Sequence, residues 1–376
     1  MKQLDRTKLR ENLERRINSH IVNETVGAAS IFVVQQGETI FNGNYGLEKI
    51  GMRVANDTIF RMASMTKPVT AVAALILVDR GLISLEDKVS KYLPEYKDLW
   101  VGCPDGENHV RILEPARREI ILKHLLTHTS GLGSNEVGVI ESCNLTAEHK
   151  KSLKNIVAQY PHTALAFHPG EEQGYSPTFA FDVMARVIEI VTGISYDQFL
   201  KKEIFEPLGM KDTTFAPTPE QWARVIPMHD YAEGEGKVHP MPENCVFADF
   251  PVTYYCAGAG LVSTADDYMK FALMLAGKGS FGGKRILSEK MVYEMSRSQM
   301  PGDMSIWGLG VRVIAEGMDP WLPEKTFGWS GAFGTHFWID PTNEIVAMYL
   351  KNSCYDGGAE ALTSREFEED VYRSFR

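Results

Sequence analysis

The sequence predicts an α/β fold of the mixed (α+β) type, in which helices flank one antiparallel sheet and a mainly helical subdomain lies beside it. Three observations lead to this prediction. Strand-like runs occur near both ends of the 376-residue chain, helix-like runs lie mainly between them, and each end also carries an amphipathic helix. Strands from the two ends can join one sheet, and the terminal helices can then cover one of its faces.

The first eighty residues predict a helix, a hairpin and a second helix. Residues 5–22 carry apolar side chains at four-residue spacing among charged ones, which indicates an amphipathic helix. The run AASIFVVQQGETIFNGNYG contains two β-rich stretches on either side of Gly37-Glu38, which indicates a hairpin. Residues 66–80 are rich in Ala, Leu and Val and are followed by Gly81, a typical helix end.

The rest of the chain has helix-like and irregular parts before it ends in strands. Residues 82–210 are mostly helical with long loops, whereas residues 211–255 are rich in Pro and polar residues without clear periodicity. Further helices and then strands are predicted at residues 265–276, 288–296 and 364–375 and at residues 308–314, 334–339 and 344–351. We therefore predict a discontinuous sheet domain (residues 1–80 and 211–376) and a helical subdomain (residues 81–210), a division that suits a chain of this length.

Composition and charge exclude several classes of protein. The chain is 44% apolar and 23% charged, as in globular proteins, which argues against a disordered or fibrous chain. The net charge is −10 and the Lys and Arg residues are scattered. Nucleic-acid binding needs a concentrated positive face, so we expect no nucleic-acid partner. No apolar run is long enough to span a bilayer and no signal peptide is visible, so we expect a cytoplasmic protein without membrane binding.

Neither the cysteines nor the histidines indicate a metal site. His124 and His128 lie four residues apart but lack the glutamate of an H-E-x-x-H motif, so we interpret them as structural histidines that hold a loop. No P-loop or complete dinucleotide-binding glycine motif occurs, and we predict no metal and no cofactor. The cysteines are odd in number, far apart and without a C-x-x-C pair, which favours idle thiols; they are Cys103, Cys143, Cys245, Cys256 and Cys354.

The first candidate for chemistry is Ser64-x-x-Lys67, at the start of the predicted helix of residues 66–80. Residues three apart on a helix share a face. A serine hydroxyl becomes a good nucleophile when a nearby base takes its proton, and a buried amine can act as that base. The helix N-terminus adds free N–H groups where an oxyanion would form. The alternative is that Ser64 only caps the helix and Lys67 is solvated.

The second candidate is Tyr175, in Tyr175-Ser176-Pro177, which follows a glycine-containing loop and precedes a predicted helix. A tyrosine near a lysine cation loses its proton more easily and can shuttle protons. The alternative is a packing tyrosine whose hydroxyl binds a backbone carbonyl.

The third candidate is Trp329-Ser330-Gly331, where small residues allow a ligand to approach an edge strand. We expect this segment to bind substrate, and the N–H of Ala332 to form an oxyanion hole with the N–H of Ser64. The alternative is a glycine-rich strand entry without a role. His336 follows closely and could face the cleft, although an ordinary strand position is favoured.

These three motifs, in this order and at these separations, resemble those of the serine β-lactamase and penicillin-binding protein superfamily, particularly its class C branch. The segments HLLTHTSGL (residues 124–132) and GAGLVSTADD (residues 258–267) are also similar to segments of that family. The resemblance extends from about residue 25 to residue 355. It implies a β-lactamase/transpeptidase-like fold and assigns the catalytic roles to Ser64, Lys67 and Tyr175.

Two departures from the class C pattern concern the substrate. Class C β-lactamases have Tyr-x-Asn at the second motif and Lys-Thr-Gly at the third, whereas this chain has Pro177 and Trp329 at the Asn and Lys positions. The lost groups would have bound the amide oxygen and the carboxylate of a β-lactam or D-Ala-D-Ala peptide. A Trp-x-Gly third motif looks like that of the family VIII carboxylesterases, and tryptophan suits an apolar acyl or alcohol group.

The resemblance therefore implies a serine hydrolase that cleaves small-molecule carboxylic esters through an acyl-Ser64 intermediate. The Lys67–Tyr175 pair would take the proton of Ser64 as one coupled unit, and Tyr175 would protonate the leaving alcohol and later activate water. A β-lactamase, D,D-peptidase, amide hydrolase or acyltransferase of the same fold stays open. So does a non-catalytic, penicillin-binding-like ligand-binding protein. The sequence leaves the oligomeric state open.

Overall fold

The computed structural model describes residues 2–46, 52–232, 234–241, 252–300 and 306–376. Cys245, one of the thiols interpreted as idle, lies outside these residues. The helices are α1 (Arg6–Val22), α2 (Thr66–Asp79), α3 (Leu122–Leu126), α4 (Asn135–Cys143), α5 (Leu153–Val157), α6 (Phe179–Thr192), α7 (Tyr196–Leu200), α8 (Glu206–Leu208), α9 (Pro219–Trp222), α10 (Ala265–Ala276), α11 (Glu289–Met295) and α12 (Leu362–Tyr372). The strands are β1 (Ala28–Gln35), β2 (Glu38–Gly46), β3 (Ile59–Arg61), β4 (Trp100–Pro104), β5 (Val110–Pro115), β6 (His229–Ala232), β7 (Lys237–Pro240), β8 (Val262–Thr264), β9 (Ser280–Phe281), β10 (Lys284–Arg285), β11 (Arg312–Val313), β12 (Phe327–Ser330), β13 (His336–Asp340) and β14 (Ile345–Leu350).

The main sheet joins the two ends of the chain. Its six strands run in the order β11-β12-β13-β14-β1-β2, and the neighbouring strands are antiparallel. Strand β1 of the N-terminal hairpin pairs with β14 near the C-terminus, with Ser30 opposite Leu350 and Gln35 opposite Ile345. The predicted fold class and the predicted origin of the sheet are confirmed.

The terminal helices α1 and α12 cover one face of this sheet. Leu13 and Ile17 of α1 share an apolar cluster with Phe367 of α12 and with sheet residues such as Trp338. Arg16 fixes the two helices to each other, because its guanidinium binds three carboxylates of α12. The amphipathic helix predicted from the four-residue apolar spacing of residues 5–22 is therefore present, and its apolar side chains face the sheet.

The other face of the sheet packs on the main apolar core, which contains α2, α6 and α10. Every side chain of α2 from Thr66 to Leu77 is buried. A helix that is apolar on all sides is expected in such a position. The same core continues from the sheet through α2 and α6 into the middle of the chain, and the division into residues 1–80 with 211–376 and residues 81–210 stays a prediction.

Three regions differ from the sequence-based expectation. The middle part contains a hairpin, β4–β5, whose turn is marked by Asp105-Gly106 with Gly106 at a φ of +87°. Residues 211–255 contain, in their described part, α9 and the β6–β7 hairpin. The predicted strand of residues 308–314 shrinks to β11, because Gly310 takes a φ of +74° and its N–H binds the carbonyl of Leu126. No helix in the described part of the chain is long and apolar enough to cross a membrane.

Candidate active site

Ser64 lies in a single turn of 3₁₀ helix, Ala63–Met65, between β3 and α2. The turn is tight, since Ala63 takes a φ of +46°, in the left-handed region that L residues rarely adopt. Such strain at a sharp strand-to-helix turn is typical of functional positions. The N-cap position of α2 is occupied by Met65, not by Ser64, and no side-chain hydrogen bond caps the helix there. The helix-cap alternative therefore does not describe this serine.

The Ser64 hydroxyl lies between the two other predicted catalytic side chains. Its Oγ is 3.1 Å from Nζ of Lys67 and 2.7 Å from the hydroxyl of Tyr175. Both distances are hydrogen-bond distances. The structure thus brings together the three side chains that the sequence motifs indicate.

Lys67 is buried, with only 1% of its surface exposed, so the alternative of a solvated lysine does not hold. Its Nζ donates to the backbone carbonyls of Pro177 at 2.6 Å and Gly258 at 2.9 Å. It also lies 4.8 Å from the ring centre of Tyr175, within cation–π distance. Pro177, which replaces the expected asparagine, thus still contributes its main-chain oxygen to the site.

Tyr175 is held in place by His128. The two ring centres lie 4.6 Å apart, and Nδ1 of His128 accepts a hydrogen bond from the N–H of Ser176 at 3.1 Å. Complete burial, helped by the charge of Lys67, lowers the pKa of His128 well below its usual value, so its ring is neutral and Nδ1 can accept. These contacts agree with the interpretation of His128 as a histidine that holds a loop.

Trp329 borders the site on the side of β12. Its ring lies 5.6 Å from that of Tyr175 and 4.8 Å from that of Trp307. The side chain is partly exposed, while its neighbours Gly328 and Ser330 are buried. The two tryptophans therefore form an apolar wall beside Tyr175.

Two side chains in and after the third motif, Ser330 and His336, point away from Tyr175. Ser330 turns away from Tyr175, since neighbouring strand residues point to opposite faces, and its Oγ lies 2.8 Å from Nδ1 of His336. His336 in turn binds Glu368 of α12 through Nε2 at 3.0 Å. His336 therefore takes the ordinary strand position favoured from the sequence and not the cleft position considered beside it, because α1 and α12 cover this face of the sheet. Substrate binding by the Trp329-Ser330-Gly331 segment stays a prediction.

Gly331 brings the third motif close to the nucleophile. A Cβ at this position would lie 2.4 Å from the carbonyl oxygen of Met62, 2.2 Å from Oγ1 of Thr335 and 3.2 Å from Cβ of Ala63. Only glycine leaves room for this approach. The segment that leads to Ala332 therefore adjoins the turn that carries Ser64, as an oxyanion hole between their N–H groups requires.

We expect Gly331→Ala to lower kcat/KM for ester hydrolysis by about 10²-fold, because the added methyl group must push the β12–β13 turn away from the Ser64 turn. Steady-state kinetics on a p-nitrophenyl ester measure this loss. Gly234→Ala is the matched control, since a Cβ there meets nothing within 4 Å. Equal kinetics of Gly331→Ala and the control would contradict the steric role.

The comparisons with known proteins agree with this geometry. The sequence matches the family described as Beta-lactamase over residues 13–368. The chain belongs to this family. It is 31% identical over 342 residues to Protein Rv1367c of Mycobacterium tuberculosis (strain ATCC 25618 / H37Rv), covering 84% of this chain and 82% of that protein. It is 28% identical over 378 residues to Esterase EstB of Burkholderia gladioli, covering 90% and 88%.

The fold of this beta-lactamase-family chain is also that of a solved structure. "EstCE1, a hydrolase with promiscuous acyltransferase activity" matches with a TM-score of 0.82 at 22% identity, over 98% of this chain and 99% of that chain. The family consists of serine hydrolases with the β-lactamase/transpeptidase-like fold, and esterases are among its members. The predicted family and fold are confirmed.

A cavity of about 1040 Å³ adjoins Tyr175 and Pro177 in this family member. Pockets of this size hold drug-sized ligands. Its described walls come from α4, α5 and the start of α6, from the segment that ends in α9 and from the loop before α10. Their large apolar side chains include Val139, Leu145, Ile156, Phe179, Phe215, Trp222 and Leu261. In the described parts of the chain, no group of three or more His, Cys, Asp or Glu side chains is placed to hold a metal ion.

The sequence motifs do not indicate a buried carboxylate that lies close to the site, Asp182 of α6. It accepts hydrogen bonds from the hydroxyls of Tyr160 and Tyr254 and from the N–H of Ala257. Burial raises the pKa of Asp182 to about 6, although these donors and the charge of Lys67 oppose the rise. An acidic residue within the otherwise apolar helix stretch FAFDVMA (residues 179–185) is the signal that could identify it.

Proposed function

We propose that this protein is a carboxylesterase that cleaves small-molecule esters through an acyl-Ser64 intermediate. One observation carries the proposal: the Ser64 hydroxyl lies within hydrogen-bond distance of both Lys67 and Tyr175. A serine with two such partners can lose its proton as it attacks an ester carbonyl.

The surroundings of Lys67 favour its role as a proton acceptor. Carbonyl oxygens can only accept hydrogen bonds, so the carbonyls of Pro177 and Gly258 each take one N–H of Lys67. A neutral amine has two N–H groups and one lone pair. With both N–H groups bound to carbonyls, the lone pair faces the third neighbour, the hydroxyl of Ser64.

Tyr175 completes the proton path. Its hydroxyl contacts the same Oγ of Ser64 from a second direction. In the proposed reaction, Lys67 and Tyr175 take the Ser64 proton as one unit, and Tyr175 returns a proton to the leaving alcohol. Tyr175 then activates a water molecule that releases the acid from Ser64. The N–H groups of Ser64 and Ala332 hold the negative oxygen during both steps.

Esters are favoured over β-lactams by the groups around Ser64. Trp329 stands where class C enzymes have a lysine, and with Trp307 it forms an apolar wall. A carboxylate of a β-lactam would lie unpaired beside these rings, which is costly. The esterase relative EstB, similar over 90% of this chain, supports the same choice.

Acyl transfer to an alcohol or amine is a second candidate, since it needs the same residues and only replaces water as acceptor. The description of EstCE1 as a hydrolase with promiscuous acyltransferase activity supports it, and so does the large apolar cavity beside Tyr175. Product analysis with an added alcohol separates the two activities, because transfer yields a new ester and hydrolysis yields the free acid.

The test of the proposed function is an intact-mass measurement across a panel of short-chain esters and a chromogenic cephalosporin. We expect the esters to add one acyl mass, located on the Ser64 peptide by digestion, and to be turned over much faster than the cephalosporin. If the cephalosporin is turned over faster than the esters, the proposed function is wrong and the protein is a β-lactamase. Absence of labelling at Ser64, also by a fluorophosphonate probe, would favour a non-catalytic binding protein.

A further inference from the structure

Asp182 lies beneath the active site and is linked to both carbonyls that hold Lys67. Its Oδ1 accepts from the N–H of Ala257 at 2.8 Å, and the next residue, Gly258, provides one of these carbonyls. The other comes from Pro177, which precedes the first turn of the helix that carries Asp182.

The two carbonyl segments also contact each other. A Cβ at Gly258 would lie 2.4 Å from the carbonyl oxygen of Pro177, so the segments are as close as two backbones can be. Thr70 of α2 fixes the same loop from the other side, since its hydroxyl donates to the carbonyl of Ala257 at 2.7 Å. A shift of the Ala257 loop would therefore move the acceptors of the Lys67 amine.

Asp182 also balances charge. The carboxylate is completely inaccessible to solvent, and its hydrogen-bond partners are neutral donors. The titratable groups that act on it are Lys67, Tyr96, Tyr160, Tyr196, Tyr254 and Cys256. Burial raises the pKa of each of these four tyrosines and of Cys256, which keeps them neutral. Among these groups, Lys67 is therefore the one that becomes positively charged when it accepts a proton.

We propose that Asp182 is a positioning residue, which holds the Pro177 and Gly258 carbonyls against Lys67 and supplies the negative charge that stabilises this lysine when it has taken the proton of Ser64. This inference rests on the proposed function. Asp182 contacts neither Ser64 nor the cleft in this role and acts entirely through the groups that surround Lys67.

The pH dependence follows from the ionisation of Asp182. The pKa of this carboxyl is about 6 because burial opposes its charge. Above this pH the carboxylate accepts from three donors. Below it the group is neutral and must place an O–H among those donors. We therefore expect kcat/KM to fall as the pH drops through about 6, since kcat/KM reports the ionisations of the free enzyme.

The experiment compares pH profiles of kcat/KM for a p-nitrophenyl ester in the full-length enzyme and its variants. Asp182→Asn keeps an acceptor for the Ala257 N–H but has no charge, so we expect a rate at pH 8 lower by about 10- to 100-fold and no inflection near pH 6. We expect its melting temperature at pH 8 to be unchanged or higher, because it relieves a buried charge. A purely structural role predicts the opposite pattern, a lower melting temperature with an unchanged profile.

A second variant keeps the Asp182 carboxylate but removes one of its hydrogen-bond donors. Tyr160→Phe removes one hydroxyl donor and should move the acid limb to higher pH, because the carboxylate loses a stabilising hydrogen bond. Asp267→Asn is the matched control, since Asp267 is a buried carboxylate on α10 and should leave the profile unchanged. A wild-type profile in both Asp182→Asn and Tyr160→Phe would overturn the inference. If Ser64 is not acylated at all, the proposed function itself fails.

Discussion

Replacement of Ser64 by alanine is expected to lower kcat/KM for a short-chain p-nitrophenyl ester by at least about 10⁴-fold, since the loss of a nucleophile removes the covalent path and leaves only binding and oxyanion contacts. The hydroxyl makes hydrogen bonds to Lys67 and Tyr175 but none that cap α2. The fold should therefore persist, with a free energy of unfolding changed by only about 1 kcal/mol.

The control for Ser64→Ala is Ser263→Ala. Ser263 is also a buried serine, but its hydroxyl binds Thr213 away from Lys67. We expect the control to keep full activity and Ser64→Ala to lose both turnover and fluorophosphonate labelling. More than a tenth of the wild-type rate in pure Ser64→Ala would disprove the acyl-serine mechanism.

Replacement of Lys67 by methionine is expected to lower kcat/KM by about 10³-fold or more, because Ser64 loses the amine of the Lys67–Tyr175 pair that takes its proton. Methionine has a similar length, but it leaves the carbonyls of Pro177 and Gly258 without their donor. An unsatisfied buried carbonyl costs about 1–3 kcal/mol, so the free energy of unfolding should fall as well. Ester kinetics and urea denaturation measure the two effects.

Two further variants distinguish proton transfer by Lys67 from the effect of its positive charge and from the effect of removing any buried lysine. Lys67→Arg keeps a positive charge but cannot release a proton, so it should be as inactive as the methionine variant. Lys351→Met removes a second buried lysine, which pairs with Asp356, and should reduce stability with much smaller loss of rate. High activity in Lys67→Arg would show that Lys67 contributes only its charge.

Much of the fold was predictable because it follows from local patterns. The apolar spacing of residues 5–22 gave α1, and the β-rich runs around Gly37 gave the β1–β2 hairpin. The pairing of β1 with β14 followed from strands at both ends of the chain and a helical middle. The β4–β5 hairpin was missed although its Asp105-Gly106 turn is a recognisable signal, because the pattern of the surrounding region was interpreted as helical.

The side chains of β12 that face the cleft cannot be predicted from the sequence pattern alone. Alternation along a strand requires Trp329 and Ser330 to point to opposite faces, so the two side chains could not both line the cleft. The sequence does not say which face the terminal helices cover. The structure decides it, since Ser330 binds His336 beneath α12 and Trp329 borders Tyr175.

The family, the fold class and the motif spacing that selects Ser64, Lys67 and Tyr175 are predictable from the sequence, because they depend on side-chain identities at helix and loop positions. The groups that surround Lys67, in contrast, depend on how distant parts of the chain pack together. The carbonyls of Pro177 and Gly258 belong to the backbone and carry no residue signature, and Asp182 reaches Gly258 only through the fold of the Ala257 loop. Main-chain acceptors and buried charges gain their role from packing, which motif spacing does not record.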